Sequence, residues 1–489
     1  MVKIKSFLYD LSSYLFCKTL KNIMRTFFLL LFLSFPFLVF SQNDYVIITD
    51  VLINGNKKTK EKTILRELNF AVGDTIPTAD LMPLVQRSEE QVLNTGLFSK
   101  AKINIKNWDT ETNQITVSID LREMWYIYPF YIFELADRNF NVWWQEQGRS
   151  LKRVNYGGRF VYTNLTGRRD LLKAVVQFGY TKKFELSYNL PMIANSRNLG
   201  VFAEIHYSNR KEIAYITEKS KLLFKKQAGE PLLLQRFRVG GGVSYRQGAD
   251  IYHTAKIIFS DNWIGDTISQ VLNPDYFLNS RNRQRHFTLQ YDFTIDKRDV
   301  KAYPKSGNFL SIFLQKDGVG FFDDVSTFAA TGTYAHYFSF GKKITFGAKL
   351  KGRYTFTREE QPYTHVSALG YLPNYLRGYE LYVMDGMDYF YTKSHLRFQL
   401  FNREINWGKY MFIPQFRLMP VKVYFAINND IGYANAPFNG ERSTLSNQWL
   451  WGRGVGLDFV VFHDKIWQFE YSFNHLGEHG FFLHFEFSF

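Results

Sequence analysis

The sequence predicts a transmembrane antiparallel β-barrel preceded by one small α/β domain, and three observations support this prediction. Apolar and polar residues alternate with a period of two over most of the chain. The chain is 18% aromatic, yet its mean hydropathy is only −0.24. The N-terminus is basic and then apolar, which is typical of an exported protein. A helical membrane protein would instead show apolar runs of about 18 to 20 residues, and a disordered chain would lack the aromatic residues.

The first element is a secretory signal peptide, predicted over residues 1–41. Residues 26–41 are almost entirely apolar, follow Arg25 and precede a polar stretch. Because this run is too short to cross a bilayer comfortably, we expect cleavage near Ser41, with a retained signal anchor as the alternative. The only cysteine, Cys17, precedes the cleavage point, so the mature chain is expected to lack thiol and disulfide chemistry.

The second element is a small α/β domain, predicted over residues 42–123. Its first segment alternates and is rich in β-branched residues, and two stretches with apolar residues at helical spacing follow. Gly96 is placed to end the second helix in a left-handed conformation, after which Phe98 returns to the core. Two alternating strands complete a β-α-α-β-β order, in which the predicted segments are 45–53, 60–68, 81–93, 101–105 and 114–121.

The third element is the barrel, predicted over residues 124–489. Segments such as 286–296, 343–356 and 481–489 have one apolar face and one face with charges in mid-strand. A soluble β-sandwich also alternates, but repeated Phe and Tyr would crowd its thin core, whereas in a barrel they contact lipid. A strand with its loop takes roughly 20 to 25 residues, which allows about 14 to 18 strands.

The charge pattern disfavours a nucleic-acid partner. The formal net charge is +15, and part of it lies in the predicted signal segment. No concentrated Lys/Arg block or nucleic-acid motif accompanies it, so we interpret the basic residues as surface and lumen charge.

Motifs of enzymes and metal sites are weak in this sequence. Residues 475–479 read H-L-G-E-H, which fits a zinc pattern by its letters, but the pattern needs a helix and this stretch lies between two predicted strands. Gly240-Gly241-Gly242 lacks a following helix and is interpreted as a loop or strand bend. We therefore predict no metal, no cofactor and no enzymatic activity. Gly452, Gly454 and Gly456 could form bulges or bends in a late strand.

The small domain resembles a known module. Its β-α-α-β-β order and the sequence Leu93-Asn94-Thr95-Gly96-Leu97-Phe98 are similar to a POTRA domain, the periplasmic module of outer-membrane assembly proteins. Gly96 and Phe98 mark the turn that carries this resemblance. A periplasmic location of residues 42–123 is what the resemblance implies.

The barrel resembles the bacterial surface antigen family, which includes BamA-like and TamA-like assembly barrels. Its motifs follow one another in the order found in that family. They are the run 164–167 (N-L-T-G), the run 184–191 (F-E-L-S-Y-N-L-P), the set Asp296, Arg298, Asp299, Pro304 and Gly307, the run Leu376-Arg377-Gly378-Tyr379, the pair Asp430 and Gly432, and the terminal aromatic residues Phe485, Phe487 and Phe489. In the family the last set is a sorting signal for barrel insertion.

The resemblance implies an architecture. It implies sixteen strands and a long sixth loop that folds back into the lumen, where Arg377 would meet Asp430. A guanidinium in a confined lumen needs a carboxylate partner, and Gly378 would let the backbone approach the wall.

The resemblance also implies a function without bond chemistry. The barrel would insert or export polypeptide or lipid clients in the bacterial outer membrane through a lateral seam between its first and last strands. The implied partners are outer-membrane lipids, unfolded outer-membrane or secreted proteins, and periplasmic or lipoprotein accessory factors at the POTRA domain. A single POTRA domain departs from the main assembly proteins and favours a specialised member. A passive pore or structural barrel is the alternative.

Overall fold

The structure, a computed structural model, describes residues 45–193, 196, 198–226, 232–412, 416–438, 440–462 and 465–487. The predicted signal peptide lies outside the described residues. The N-terminal domain contains four strands and two helices. They are β1 (Tyr45–Asn54), α1 (Glu61–Leu65), β2 (Thr75–Pro77), α2 (Thr78–Asn94), β3 (Phe98–Asp109) and β4 (Gln114–Glu123).

The N-terminal domain forms a four-stranded sheet with the order β2-β1-β4-β3. Strand β2 is an addition to the predicted order: its three residues pair with the start of β1 after a turn in which Gly73 has a φ of +95°. Helix α1 is shorter than predicted. Gly96 has the predicted left-handed conformation, with a φ of +73°, and Phe98 is buried in the core.

The remaining chain forms sixteen strands of one antiparallel sheet. They are β5 (Ile127–Leu135), β6 (Val154–Thr163), β7 (Leu171–Gly179), β8 (Thr181–Leu190), β9 (Leu199–Arg210), β12 (Leu234–Gln247), β13 (Ile251–Ile264), β14 (Arg283–Asp296), β15 (Gly307–Asp317), β16 (Thr327–Phe340), β17 (Ile344–Thr355), β20 (Asp388–Asn406), β21 (Leu418–Asn435), β22 (Trp449–Val461), β23 (Lys465–Asn474) and β24 (His479–Phe487).

Short elements lie in the loops between these strands. Two hairpins and several helical turns are described there. They are β10 (Glu212–Glu218), β11 (Lys221–Lys226), β18 (Ser367–Leu369), β19 (Met384–Asp385), α3 (Phe140–Gln145), a π-helical turn (Thr267–Leu272) and 3-10 turns at Leu151–Arg153, Tyr363–His365 and Gly408–Tyr410. No helix in the described part of the chain is long and apolar enough to cross a membrane.

Each barrel strand pairs with its sequence neighbours in the sheet, and β5 and β24 are the two ends of the strand order. The alternation places the faces as predicted. In β14, for example, Leu289 and Tyr291 are 45% and 40% exposed, whereas His286 and Thr288 are buried. The outer face is therefore apolar and the inner face polar, which suits a barrel wall between lipid and a lumen.

The N-terminal domain lies at one end of the barrel, which we call the near end. It contacts the turns after β6, β8, β12 and β14, for example through Arg87 and Asp250, whose side chains are 3.0 Å apart. The loops at the opposite end, the far end, follow β5, β7, β9, β13, β15, β17, β21 and β23. Residues 356–387 are therefore the sixth far-end loop, which we call loop six.

Candidate functional site: loop six in the barrel lumen

Arg377 of loop six lies inside the barrel and binds two carboxylates. Its Nη1 donates to Oδ1 of Asp430 and its Nε donates to Oε1 of Glu470, both at 2.9 Å. Its backbone N–H also donates to Oδ2 of Asp430 at 3.1 Å. Both carboxylates are completely buried, and Arg377 is 7% exposed. Because a guanidinium carries several donors in one plane, a single side chain joins loop six to both β21 and β23.

The backbone of loop six approaches the wall closely at Gly378. This residue has a φ of +79°, and a Cβ added to it would lie 2.7 Å from the carbonyl oxygen of Phe473. The carbonyl oxygen of Gly378 accepts a hydrogen bond from Nδ2 of Asn474 at 2.8 Å. A side chain at this position would therefore be strained and would also collide with β23.

Two glycines of the wall complete the space for loop six. A Cβ at Gly432 would lie 2.5 Å from Cδ1 of Leu376, and a Cβ at Gly452 would lie 1.9 Å from the carbonyl oxygen of Arg377. Strand β22 pairs with both neighbours without a register shift, so of the bulges or bends that its glycines could form there is no bulge in this described strand. The glycines of β22 instead form a smooth inner surface on which the loop can lie.

Leu376 and Tyr379 anchor the loop on either side of Arg377. Both side chains are fully buried. The hydroxyl of Tyr379 donates to the carbonyl oxygen of Trp451 at 3.2 Å, accepts from its N–H at 3.1 Å, and contacts Nδ1 of His475. Leu376 packs in an apolar cluster with Tyr391 and other wall residues. Each residue of the motif therefore holds the loop in a different way. Leu376 makes an apolar contact, Arg377 a charged one, Gly378 a backbone hydrogen bond and Tyr379 a hydroxyl hydrogen bond.

Glu470 is a functional candidate that the sequence reasoning did not identify. Its Oε1 accepts a second hydrogen bond from Nδ2 of Asn428 at 2.9 Å, and its Oε2 lies 3.4 Å from Nε2 of His484 on the last strand. The sequence does mark Glu470 as a lumen-facing carboxylate, because it lies on the polar face of β23 between aromatic neighbours. The alternation alone could not show that it faces Arg377.

An aromatic and cationic layer lies beside the carboxylates. Nζ of Lys393 is 3.7 Å from the ring centroid of Tyr375 and 3.9 Å from Oδ2 of Asp430. Tyr375 also stacks on His484, with ring centroids 4.6 Å apart and an interplanar angle of 16°. We call Arg377 with its two carboxylate partners, Asp430 and Glu470, the Arg377 clamp. The contacts of Tyr375 extend this clamp to Lys393 on β20 and His484 on β24.

The first far-end loop, residues 136–153, holds loop six from the other side. Arg138 donates to the carbonyl oxygens of Leu381 and Tyr382, both at 2.5 Å, and Asn139 donates to that of Glu380 at 2.6 Å. Side-chain donors on a row of carbonyls, one of them the charged Arg138, fix a backbone that has no regular secondary structure. Loop six is therefore held between the lumen wall and the first loop.

Comparison with protein-family models gives two matches. The POTRA model, described as a surface antigen variable number repeat, matches residues 46–124, and the Omp85 superfamily domain matches residues 164–413, which is half of the chain. The chain belongs to the Omp85 superfamily. Barrels of this superfamily are outer-membrane proteins that insert or secrete polypeptides and carry periplasmic POTRA domains.

A solved structure with a TM-score above 0.5 shares this fold. CdiB from Escherichia coli is 12% identical with a TM-score of 0.55, over 91% of this chain and 76% of the solved chain. BamA from Haemophilus ducreyi lacking POTRA domains 1–3 is 11% identical with a TM-score of 0.48, over 90% and 84%. No curated protein sequence matches this Omp85 chain.

The Omp85 motif that follows β14 forms a near-end turn. Arg298 donates from Nε and Nη2 to the two oxygens of Asp296 at 2.7 and 2.8 Å. Oδ1 of Asp299 accepts from the backbone of Lys305 at 2.9 Å, and Gly307 has a φ of +96° where a Cβ would collide with a carbonyl. The motif residues therefore shape a turn and do not contact the Arg377 clamp.

This turn also reaches into the lumen, which the sequence reasoning did not anticipate. The carbonyl oxygen of Pro304 lies 3.5 Å from Nη1 of Arg397, and the neighbouring Tyr303 is 5% exposed. The hydroxyl of Tyr303 donates to Oδ2 of Asp458 on β22 at 2.6 Å. A residue from the turn between β14 and β15 thus spans the near end of the lumen.

The POTRA domain is docked on the near end through Glu67. Both oxygens of this carboxylate accept from Arg246 of β12 at 2.6 Å, and Glu67 is 2% exposed. Burial raises the pKa of Glu67, but the Arg246 hydrogen bonds and the charges of Arg169, Arg246 and Arg66 outweigh burial and lower this pKa to about 2. The carboxylate is therefore charged near neutral pH.

A second set of POTRA contacts involves the predicted N-L-T-G run. Nδ2 of Asn164 donates to Oγ1 of Thr59 at 2.9 Å, and the carbonyl oxygen of Gly167 accepts from Oγ1 of Thr63 at 3.0 Å. Asn94 of the POTRA turn donates to the carbonyl oxygen of Asp299 at 3.1 Å. The sequence motifs at the near end therefore serve the docking of the POTRA domain.

The C-terminal aromatic residues lie on β24. Phe485 is 53% exposed on the outer face, where lipid would contact it. Phe487 ends the strand, and Phe489 lies outside the described residues.

Proposed function

We propose that this Omp85 chain is a non-enzymatic assembly or export barrel of the bacterial outer membrane, with its POTRA domain in the periplasm. A seam between β5 and β24 would receive its clients, which are unfolded outer-membrane or secreted polypeptides, or lipids. One observation carries the proposal: β5 and β24 end the strand order and, in the part of the chain that is described, do not pair with each other. An unpaired strand edge is a template for another chain.

A replaceable hydrogen bond links the segment that follows β5 to the edge of β24. Nδ2 of Asn141, in the helix α3 that follows β5, donates to the carbonyl oxygen of Phe481 at 2.8 Å. A single hydrogen bond of this kind contributes only about 0.5–1.5 kcal/mol net. A client strand that offers several backbone donors would therefore displace it.

The filled lumen supports an assembly role over a passive pore. Loop six occupies the far part of the lumen through Arg377, and Tyr303 spans the near end. An open conduit would require both to leave. Entry of a client strand at the seam requires neither loop six nor Tyr303 to leave the lumen, because β5 and β24 are themselves strands of the wall.

The POTRA domain offers an edge for client or accessory strands at β3. This strand ends the POTRA sheet and is 12 residues long. The N–H of Ile103 on β3 donates to Oε1 of Glu89 at 2.7 Å. A strand that is added at this edge would displace Glu89, and strand addition is a general mode of peptide recognition.

Site-specific photocrosslinking in cells tests the seam. A photoreactive residue at Tyr131 of β5 (98% exposed) or Phe485 of β24 should capture unfolded outer-membrane or secreted polypeptides during synthesis. The matched control is Tyr291 of β14, which is 40% exposed on the outer face far from the seam in strand order. It should contact lipid but capture no client.

The outcomes separate the two classes of function. Capture at Tyr131 and Phe485 above the level at Tyr291 supports the seam. Equal capture at all three positions refutes it. If no polypeptide is captured and the purified barrel conducts ions steadily, the passive pore is the better description. Comparison of the outer-membrane proteome before and after depletion of the protein then identifies the clients.

A further inference from the structure

Two histidines and an aspartate meet in the barrel away from the Arg377 clamp. His286 lies on β14, Asp317 ends β15, and His365 lies in loop six. Nε2 of His286 is 4.0 Å from Oδ1 of Asp317, and Nε2 of His365 is 3.8 Å from Oδ2. The three candidate ligand atoms all lie within 4.8 Å of one another.

The cluster is buried, and its aspartate is oriented by neighbouring side chains. His286 and Asp317 are 5% and 3% exposed. Oγ1 of Thr288 donates to Oδ1 of Asp317 at 2.6 Å, and Nε2 of Gln315 donates to Oδ2 at 2.8 Å. Such outer contacts are the usual support of a metal-binding carboxylate, and each oxygen keeps a further lone pair.

One buried nitrogen of the cluster is unpaired among the described residues. Nδ1 of His286 is buried and has no hydrogen-bond partner among the described residues. Buried polar atoms are normally paired, and an exception calls for a reason such as a bound ion. An ion coordinated by this nitrogen, or a rotation of the ring that turns it toward the cluster, would give Nδ1 a partner.

We propose that His286, Asp317 and His365 bind one divalent transition-metal ion, with Zn²⁺ as the best fit. Imidazole and carboxylate are ligands that zinc accepts, and ligands at about 2.0–2.2 Å in a tetrahedron lie about 3.3 Å apart. The histidine nitrogens lie 3.8 and 4.0 Å from the nearer aspartate oxygens, and all three ligand atoms lie within 4.8 Å of one another. A shift of about half an ångström by each side chain would bring them to the separations of a tetrahedral site. The fourth position is left for water.

The proposed ion would attach loop six to the wall at a second point. His365 comes from the loop, whereas His286 and Asp317 come from two adjacent strands. Arg353 donates from Nη2 to the carbonyl oxygen of His365 at 3.3 Å, so a positive charge lies beside the cluster and opposes the ion. The site is therefore expected to be weaker than a structural site of four protein ligands, and to release its metal to a chelator.

The motif search in the sequence could not find this site. Its three ligands are distant in the sequence and belong to no spacing pattern, unlike the H-L-G-E-H run at 475–479. That run lies at the turn between β23 and β24, where His479 is exposed. It provides a natural control for adventitious binding.

Cobalt titration of the purified full chain in detergent micelles tests the proposal. After treatment with a chelator and its removal, Co²⁺ should give the visible absorption of a tetrahedral N/O site at one equivalent, and Zn²⁺ should displace it. The substitutions His365→Ala and Asp317→Asn should each weaken binding by more than about tenfold, because even outer-shell partners of a metal typically contribute 10–100-fold. Heat-modifiable mobility on gels verifies that each variant is folded.

The variant His479→Ala should bind cobalt like the wild type. The proposal is overturned if no stoichiometric binding occurs, or if His479→Ala abolishes binding while His365→Ala retains it. Trypsin cleavage after Arg358, which is exposed in loop six, tests the attachment separately. Zinc should slow this cleavage in the wild type but not in His365→Ala, and zinc that binds without slowing it refutes the attachment of the loop.

Discussion

Replacement of Arg377 by alanine would leave two negative charges buried in the barrel. The guanidinium makes charge-assisted contacts of 2.9 Å with both Asp430 and Glu470, and neither carboxylate is exposed. Removal of one partner of a buried ion pair costs about 3–5 kcal/mol. Lys393 lies 3.9 Å from Asp430 and compensates part of its charge, whereas Glu470 keeps its contacts with Asn428 and His484. We therefore expect the free energy of unfolding to fall by about 3–5 kcal/mol.

Two companion variants separate charge from geometry. Arg377→Lys keeps the charge but offers one ammonium in place of a planar fork, so it should restore only part of the stability. Glu470→Gln removes one charge-assisted hydrogen bond and should cost about 1.5–3 kcal/mol. The double variant Arg377→Ala/Glu470→Gln should be less destabilised than the sum of the single variants, because it leaves one buried charge fewer.

Equilibrium unfolding in urea, followed by tryptophan fluorescence of the barrel in liposomes, measures these values. The matched control is Arg403→Ala on β20, an exposed arginine whose loss should change stability by less than about 0.5 kcal/mol. The reasoning is refuted if the free energy of unfolding of Arg377→Ala differs from that of the wild type by less than about 0.5 kcal/mol. It is also refuted if the destabilisation of the double variant equals the sum of the destabilisations of the two single variants.

Three further predictions concern the wall, the near end and the POTRA domain. Gly452→Ala should expose loop six to proteases, because the added methyl group would lie 1.9 Å from the carbonyl oxygen of Arg377; protection equal to the wild type would contradict this. Tyr303→Ala should raise ion conductance in planar bilayers, whereas Tyr410→Ala at the exposed near-end turn should not. The pKa of Glu67 is lowered from 4.5 to about 2, so this group stabilises the docked POTRA domain above pH 4.5 and loses that contribution as the pH falls through 2. A disulfide-trapping or spin-label distance measurement should show release in acid and, for Glu67→Gln, weaker docking at neutral pH.

The strands were predictable because their period is local. Each barrel strand shows its two faces in its own residues, and the exposure of Leu289 and Tyr291 against the burial of His286 follows the alternation. Strand β2 of the POTRA domain was not predictable. Its three residues include a proline and become a strand only by pairing with β1, which is a tertiary contact.

The clamp was predictable in part. Arg377 and Asp430 were identified by resemblance, and the structure brings them together. Glu470 and Tyr303 were not predicted, because the local sequence around each is the same as that around any other mid-strand carboxylate or turn tyrosine. Their partners are decided by which strands the barrel wall places opposite a loop. The role of the β22 glycines could not be predicted for the same reason. They form a surface for loop six only because Arg377 lies against Gly452, which is a tertiary contact.

The clamp and the proposed seam are physically connected. Glu470, which accepts from Arg377, lies 3.4 Å from His484, and His484 belongs to the seam strand β24 and stacks on Tyr375 of loop six. The loop motif is therefore tied to one of the two strands between which a client would enter. Because packed and charged contacts of this kind have discrete arrangements, the clamp would hold β24 in place while the opposite edge, β5, moves. This geometry explains why one long loop is buried in the lumen of a barrel whose proposed work takes place at its wall.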